Sequence, residues 1–142
     1  MSLARILLAV GAVAVGTHYA HQHSSSYGSA AIIPGSDQNG FIALPPAQGQ
    51  DRDTVYVVAA VNCPHEAAQR ADRLAKDLGD KGIPVVRTSN VSFAAGSMDQ
   101  SMVKRMNTVM TGALPIVFVR GKARPGAVLA DVEAEYQNKE TH

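Results

Sequence analysis

The chain has 142 residues, of which 46% are hydrophobic and 18% are charged, and this length suits one ordinary domain or less. Its 13 Lys and Arg residues nearly balance 12 Asp and Glu residues, so the net charge of +1 provides no basic surface of the kind that attracts nucleic acid. The one cysteine, Cys63, excludes an internal disulfide and a cysteine-cluster metal site. We therefore predict no nucleic-acid partner and no metal site.

The charges divide the chain into two unlike parts. Residues 1–50 contain only Arg5 and Asp37 as charged residues, and all other charges lie from Asp51 onward. This split predicts a signal peptide or membrane anchor at residues 1–20, a flexible linker at 21–50 and a folded domain at 51–142.

The first segment has the pattern of an export signal. Arg5 precedes an uninterrupted run of apolar and small residues at 6–16, typical of a secretory signal and short for a full bilayer crossing. The cleavage site is weak, so an uncleaved anchor stays open, as does a buried helix of the domain. We predict an exported protein that is periplasmic or anchored in the inner membrane, and that contacts the membrane only through residues 1–20.

The linker is inferred from its composition. Residues 21–50 are rich in Ser, Gly, Gln, Ala and Pro and show no sustained periodicity. Within them, the apolar residues 40–46 end in two prolines, which forbid a helix, so this segment could dock on the domain in an extended form.

The charged part predicts a first β-α-β unit. Residues 54–61 form a β-branched and aromatic run typical of a strand buried on both faces. From Pro64 to about Leu78, apolar residues recur at helical spacing, and residues 83–87 restart extended structure. A strand, a helix and a strand of these lengths imply a right-handed parallel crossover. Most Lys and Arg residues alternate with acids, which is the pattern of a solvated face.

Four further elements complete the domain. A stripe of methionines at intervals of four marks a second helix, and we interpret it as core rather than as an adaptable binding surface: Met98, Met102, Met106 and Met110. Residues 114–120 form a strand that starts with a proline, residues 122–124 pair back antiparallel after a tight turn, and a last helix opens at Pro125. The order β-α-β-α-β-β-α predicts an α/β fold with a mixed four-stranded sheet, preceded by an N-terminal apolar helix and the linker.

This order resembles the thioredoxin superfamily, and its glutaredoxin branch in particular. The resemblance covers about residues 53–137, and it depends on Cys63-Pro64 after the first strand, on Pro84 opening the second and on Pro115 before the third. It implies a thioredoxin-like sandwich in which Pro115 is a cis-proline that faces the reactive cysteine, here Cys63.

The redox motif departs from the family pattern. The family's Cys-x-x-Cys corresponds here to Cys63-Pro64-His65-Glu66, so a carboxylate replaces the second thiol and dithiol exchange within the chain is excluded. We predict no resident cofactor. Glutathione, the thiol of glutaredoxins, stays open as an external reactant, because residues 125–127 retain one of the family's two glycines and lack its acidic residue.

Two interpretations of Cys63 follow from its position before the first helix. At the N-cap, with Pro64 as first helical residue, the thiol would face unpaired N–H groups and the positive end of the helix dipole, which favour the thiolate. A protonated His65 would add to this effect and Glu66 would oppose it. Alternatively, Cys63 and Glu66 have the spacing of a capping box, and the thiol is inert.

These observations predict an exported glutaredoxin-like protein that performs thiol-disulfide exchange by a monothiol mechanism, with an envelope protein carrying a thiol or disulfide as its partner. The alternative is a redox-inactive thioredoxin-like module that binds a partner protein in the cell envelope, which the carboxylate at Glu66 favours. The catalytic candidates are Cys63 as nucleophile, His65 for tuning the thiolate and Pro115 as the cis-proline. The candidate binding residues are Asn62, Pro64, Glu66 and Leu114.

Overall fold

The computed structural model describes residues 34–62, 64–94, 96 and 98–138. The predicted signal or anchor at 1–20, the first part of the predicted linker and Cys63 lie outside the described residues. The described elements, in chain order, are β1 (Ile42–Ala43), β2 (Val55–Val58), α1 (Glu66–Asp80), β3 (Val85–Thr88), α2 (Gln100–Met110), β4 (Ile116–Val119), β5 (Lys122–Pro125) and α3 (Leu129–Gln137).

The strands of the described chain form one mixed sheet in the order β1-β5-β4-β2-β3. β2 and β3 are parallel, as the crossover through α1 requires, whereas β4 is antiparallel to both β2 and β5. The predicted mixed α/β class is therefore confirmed. The sheet has five strands where the sequence predicts four, because β1 pairs antiparallel with β5.

The additional strand comes from the segment that composition assigns to the linker. Phe41 and Ile42 are 1% and 0% exposed, and they pack on opposite faces of the sheet. Because β1 has only two residues and lies among Gly and Pro, its periodicity is too short to detect in the sequence. Burial of these two side chains stabilises the pairing with β5, so residues 41–44 are packed structure.

Helices cover both faces of the sheet. In β4 all four residues are buried, and they alternate between two core clusters. Val117 and Val119 join the cluster formed with α1 and α3, whereas Ile116 and Phe118 join the cluster formed with α2. This double burial explains the continuous apolar run in the sequence.

Two details of the helices differ from the sequence predictions. The methionine stripe of α2 is only partly buried, because Met106 packs against the core while Met110 is 40% exposed. α3 begins at Leu129 rather than near Pro125, since Pro125 is still paired with Ile116 in the sheet. Among the described residues, no helix combines the length and the apolar character needed to cross a membrane.

A buried polar cluster joins the β1 segment to β5 and α3. The Lys122 ammonium lies 3.0 Å from a carboxylate oxygen of Asp37 and 3.0 Å from one of Glu135, which is only 3% exposed. The side-chain amide of Asn39 donates to the other Glu135 oxygen at 2.9 Å, and Arg124 donates to the Asn39 carbonyl. We call Asp37, Asn39, Lys122 and Glu135 the Lys122 network. Its two carboxylates contact the same ammonium, and this attraction offsets the cost of removing charged groups from water.

Candidate functional site

Three connections meet at the edge of the sheet where β2 ends. Val58, the last residue of β2, pairs with Ile116, the first of β4, and Ile116 also pairs with Pro125, the last of β5. The residues that follow β2, precede β4 and follow β5 therefore lie at one edge. We call this edge, with residues 60–62, 64–66, 113–115 and 126–128, the site edge. Open sheets of α/β proteins bind ligands at such carboxyl ends.

The segment before β4 is held by hydrogen bonds from the turn after β5. The Leu114–Pro115 peptide bond is cis. The Gly126 N–H donates to the carbonyl oxygens of Ala113 and Pro115 at 2.7 and 2.9 Å. Leu114 is left 40% exposed. The structure thus describes the geometry of Pro115, while its predicted role in presenting a partner backbone stays a prediction.

A groove of about 390 Å³ runs between α1 and these two connections. Its walls combine apolar side chains with charged ones from α1, and Leu114 and Val128 at its rim are 40% and 51% exposed. The charged lining residues are Arg70, Arg73 and Asp77. Apolar walls with a few charged groups are the usual composition of a ligand site in a protein.

Glu66 and Arg70 connect α1 to the segment before β4. The Arg70 guanidinium lies 2.6 Å from Glu66 Oε1 and donates a second hydrogen bond, of 3.3 Å, to the Leu114 carbonyl. The structure therefore brings two predicted binding residues, Glu66 and Leu114, together through an arginine that the sequence reasoning did not select. An arginine one turn after an acid is the signal that could have indicated it.

α1 begins later than the sequence predicts. Its N-cap is His65 and its first helical residue is Glu66, so the placement of Cys63 at the N-cap and of Pro64 in the helix is wrong. The Pro64 carbonyl accepts the Gln69 side-chain amide at 2.9 Å, which takes it out of the helical ladder. The N-cap has no side-chain hydrogen bond, and the predicted capping box of Cys63 and Glu66 is not the helix terminus.

The loop into Cys63 has an unusual backbone. Asn62, a predicted binding residue, has a φ of 52° and is exposed. Asparagine tolerates this left-handed region better than most residues do. The turn at Asn62 sets the direction of the chain as it leaves the sheet, two residues after Ala60. Cys63 itself lies outside the described residues.

Arg87 in β3 is a second arginine of this region that the sequence analysis does not select. From the sequence pattern it counts among the solvated charged residues. In the structure, its side chain is only 17% exposed and donates hydrogen bonds to backbone carbonyls at the end of β2. The signal in the sequence is an arginine inside the otherwise apolar run of β3.

The described residues contain no group of three His, Cys, Asp or Glu side chains that could hold a metal ion. In comparisons with known proteins, no family model, no curated protein and no solved structure matches this chain. What the site can do is therefore argued from its own residues.

Proposed function

We propose that this protein is an exported, thioredoxin-like domain of glutaredoxin type that performs thiol-disulfide exchange through Cys63. The observation that carries the proposal is the pairing of Val58 with Ile116, which brings the connection into Cys63 and the segment containing Pro115 to one edge of the sheet. A groove with an apolar rim opens at this edge, and it offers the proposed partner a surface to bind.

The position of Cys63 in the sequence, shortly before α1, favours a reactive thiol. Cys63 precedes the N-cap of α1 by two residues. The first N–H groups of a helix have no partner within it, and they form the positive end of its dipole. A thiol next to such a terminus has a lowered pKa, because the N–H groups stabilise the thiolate. His65, when protonated, acts in the same direction.

Exchange through one cysteine proceeds in two balanced steps. The Cys63 thiolate attacks one sulfur of a mixed disulfide, so a new disulfide forms to Cys63 while the other sulfur leaves as a thiolate and takes up a proton. An external thiolate then attacks the sulfur of the bound group, forms a disulfide with that group and releases the Cys63 thiolate. Glutathione or an envelope protein supplies this thiol, and no electrons are gained or lost overall.

The reactivity of Cys63 is tested by alkylation between pH 4 and pH 9. Because the chain has one cysteine, every labelled molecule reports Cys63. We expect the rate to rise with a midpoint below the free value of about 8.5. The same chain unfolded in guanidinium is the matched reference, and Cys63→Ser measures background labelling. A folded-state midpoint at or above the reference would refute the proposal.

A second function is favoured by the contact that links Glu66, Arg70 and Leu114. Where a dithiol protein has its resolving thiol, this chain has a carboxylate held in an ion pair that reaches the wall of the groove. This favours a redox-inactive module that binds a partner protein in the envelope. Cys63→Ser separates the two functions: loss of the cellular phenotype with unchanged partner binding supports exchange, whereas a retained phenotype supports binding.

A further inference from the structure

Arg87 connects three parts of the chain that surround the path into Cys63. From β3, its Nη1 donates to the Ala59 carbonyl at 2.7 Å and to the Thr88 carbonyl at 3.0 Å, while its Nη2 donates to the Ala60 carbonyl at 2.8 Å. Its Nε donates to Asp72 of α1 at 2.8 Å. One guanidinium thus binds the end of β2, the end of β3 and the helix that follows Cys63.

These hydrogen bonds fall where the sheet stops pairing the backbone. The last backbone bond between β2 and β3 at this end runs from the Ala59 N–H to the Thr88 carbonyl, at 3.1 Å. Beyond it, the carbonyls of Ala59 and Ala60 receive their hydrogen bonds from Arg87. Ala59 is 3% exposed, and a backbone carbonyl that is shielded from water needs such a partner, whereas Ala60 is exposed. Arg87 therefore continues the hydrogen bonding of the sheet by two residues toward Asn62.

Only an arginine can make this set of contacts. Its planar guanidinium presents five N–H donors in a fixed arrangement, whereas a lysine ammonium is a compact charge with three rotatable donors. The side chain of Arg87 is 17% exposed and that of Asp72 is 60% exposed, so the contact with Asp72 lies on the solvent side of the carbonyl contacts. The carbonyl contacts hold the loop, and the contact with Asp72 orients the guanidinium.

We infer that Arg87 is a positioning residue for the proposed reaction of Cys63: it fixes the Ala59 and Ala60 carbonyls at the end of β2, four and three residues before Cys63 in the sequence. This inference rests on the proposed thiol exchange. Without the guanidinium, the Ala60 carbonyl loses its hydrogen bond to Arg87, and the proposed stabilisation of the Cys63 thiolate by the start of α1 weakens. The pKa of Cys63 then rises toward that of a free thiol.

The test uses the full chain with the conservative variant Arg87→Lys, which retains the charge and removes the planar donor set. Amide hydrogen exchange at Ala59 measures the loop, and alkylation of Cys63 against pH measures the thiol. We expect amide exchange at Ala59 to be faster by about tenfold or more, which corresponds to a loss of about 1.4 kcal/mol of local stability. We also expect the pH midpoint of Cys63 alkylation to move upward. Arg52→Lys, on an exposed loop, is the matched control and should change neither quantity.

Two results of this experiment would overturn the inference, and a third would overturn the proposed function. Unchanged exchange at Ala59 in Arg87→Lys overturns the inference, whatever the thiol does. The inference is also overturned if amide exchange at Ala59 is faster in Arg87→Lys while the alkylation midpoint of Cys63 equals that of the Arg52→Lys control. Arg87 would then only stabilise the sheet. If the alkylation midpoint of Cys63 in the folded wild type equals that of the unfolded chain, the proposed function is refuted. Amide exchange at Ala59 then still measures the contact between Arg87 and the end of β2.

A variant that does not fold is replaced by a milder one. Asp72→Asn removes the charged partner of the Arg87 Nε and leaves the carbonyl contacts in place. We expect a smaller shift of the midpoint in the same direction, with thermal unfolding close to that of the wild type. A midpoint equal to that of Arg52→Lys in this variant would overturn the inference.

Discussion

The Lys122 network and the site edge both contain charged side chains, but they hold them in opposite ways. In the network, the side chains of Glu135, Lys122 and Asp37 are 3%, 18% and 29% exposed, and both carboxylates contact the same ammonium, so the charges are mostly shielded from water and shared. At the site edge, the side chains of Glu66 and Arg70 are 79% and 45% exposed and form one ion pair. The comparison indicates that charged groups hold the architecture together at one end of the sheet and remain exposed to solvent at the other.

The largest effect is expected from removing the shared cation. Lys122→Met leaves the Asp37 and Glu135 carboxylates close together without their common ammonium, and breaking a buried ion pair costs about 3–5 kcal/mol. Arg70→Met at the site edge should cost about 0.5 kcal/mol or less, because its ion pair is exposed. Urea denaturation at pH 7 measures both variants, and equal losses would remove the distinction between the two regions.

An intermediate effect is expected next to the site edge, where Gly112 packs against Pro125. A Cβ on Gly112 would lie 2.4 Å from the Cβ of Pro125, so Gly112→Ala forces the connection before β4 away from β5. Overpacking of this kind costs about 1–3 kcal/mol. The matched substitution is Gly79→Ala in α1, where the new Cβ would lie 3.9 Å from Val85 Cγ1, an ordinary van der Waals distance. This variant should instead be more stable by about 0.5–1 kcal/mol. Thermal unfolding compares the pair, and a Gly112→Ala protein as stable as Gly79→Ala would contradict the close packing.

The smallest effect concerns acid and the Asp37 carboxylate. Burial raises the pKa of Asp37, but the Phe41 N–H and Lys122 lower it more, so the folded-state pKa lies below its ordinary value. Its contribution to stability is therefore complete above the ordinary carboxyl pKa of about 3.9 and is lost as the pH falls through the folded value. We expect Asp37→Asn to cost about 1 kcal/mol at pH 7, the usual worth of a partly exposed ion pair. The stability difference from wild type should shrink below pH 4, and a constant difference in urea denaturation from pH 7 to pH 3 would show that Asp37 is not charge-coupled.

The elements that could be predicted are those whose pattern is local. The apolar run of β2 and β4 and the helical spacing in α1 indicate the sheet and its parallel crossover, because burial on both faces leaves a continuous signature. That the connection into Cys63 and the segment of Pro115 lie at one end of the sheet is expected only from the resemblance to the thioredoxin superfamily, and no periodicity in the sequence indicates it. Cys63 and residues 1–20 remain predictions, since they lie outside the described residues.

The parts that could not be predicted depend on partners far apart in the sequence. Asn39 and Glu135 are 96 residues apart, and nothing near either position indicates their contact. The hydrogen bonds of Arg87 to Ala59 and Ala60 likewise join positions 28 and 27 residues apart. Next to the start of α1 at Glu66, the Pro64 carbonyl accepts a hydrogen bond from the Gln69 side chain, five residues along the chain, and the apolar pattern of the helix does not indicate this contact.

The two-residue strand β1 has a practical consequence for the choice of fragments. A fragment that begins at Asp51, where the dense charges start, lacks Phe41 and Ile42 and leaves β5 as the outer strand, with its N–H and C=O groups open. Such an edge is a template for pairing between molecules. Expression from Asp51 therefore favours self-association, whereas a fragment that retains residues 34–50 covers its own edge.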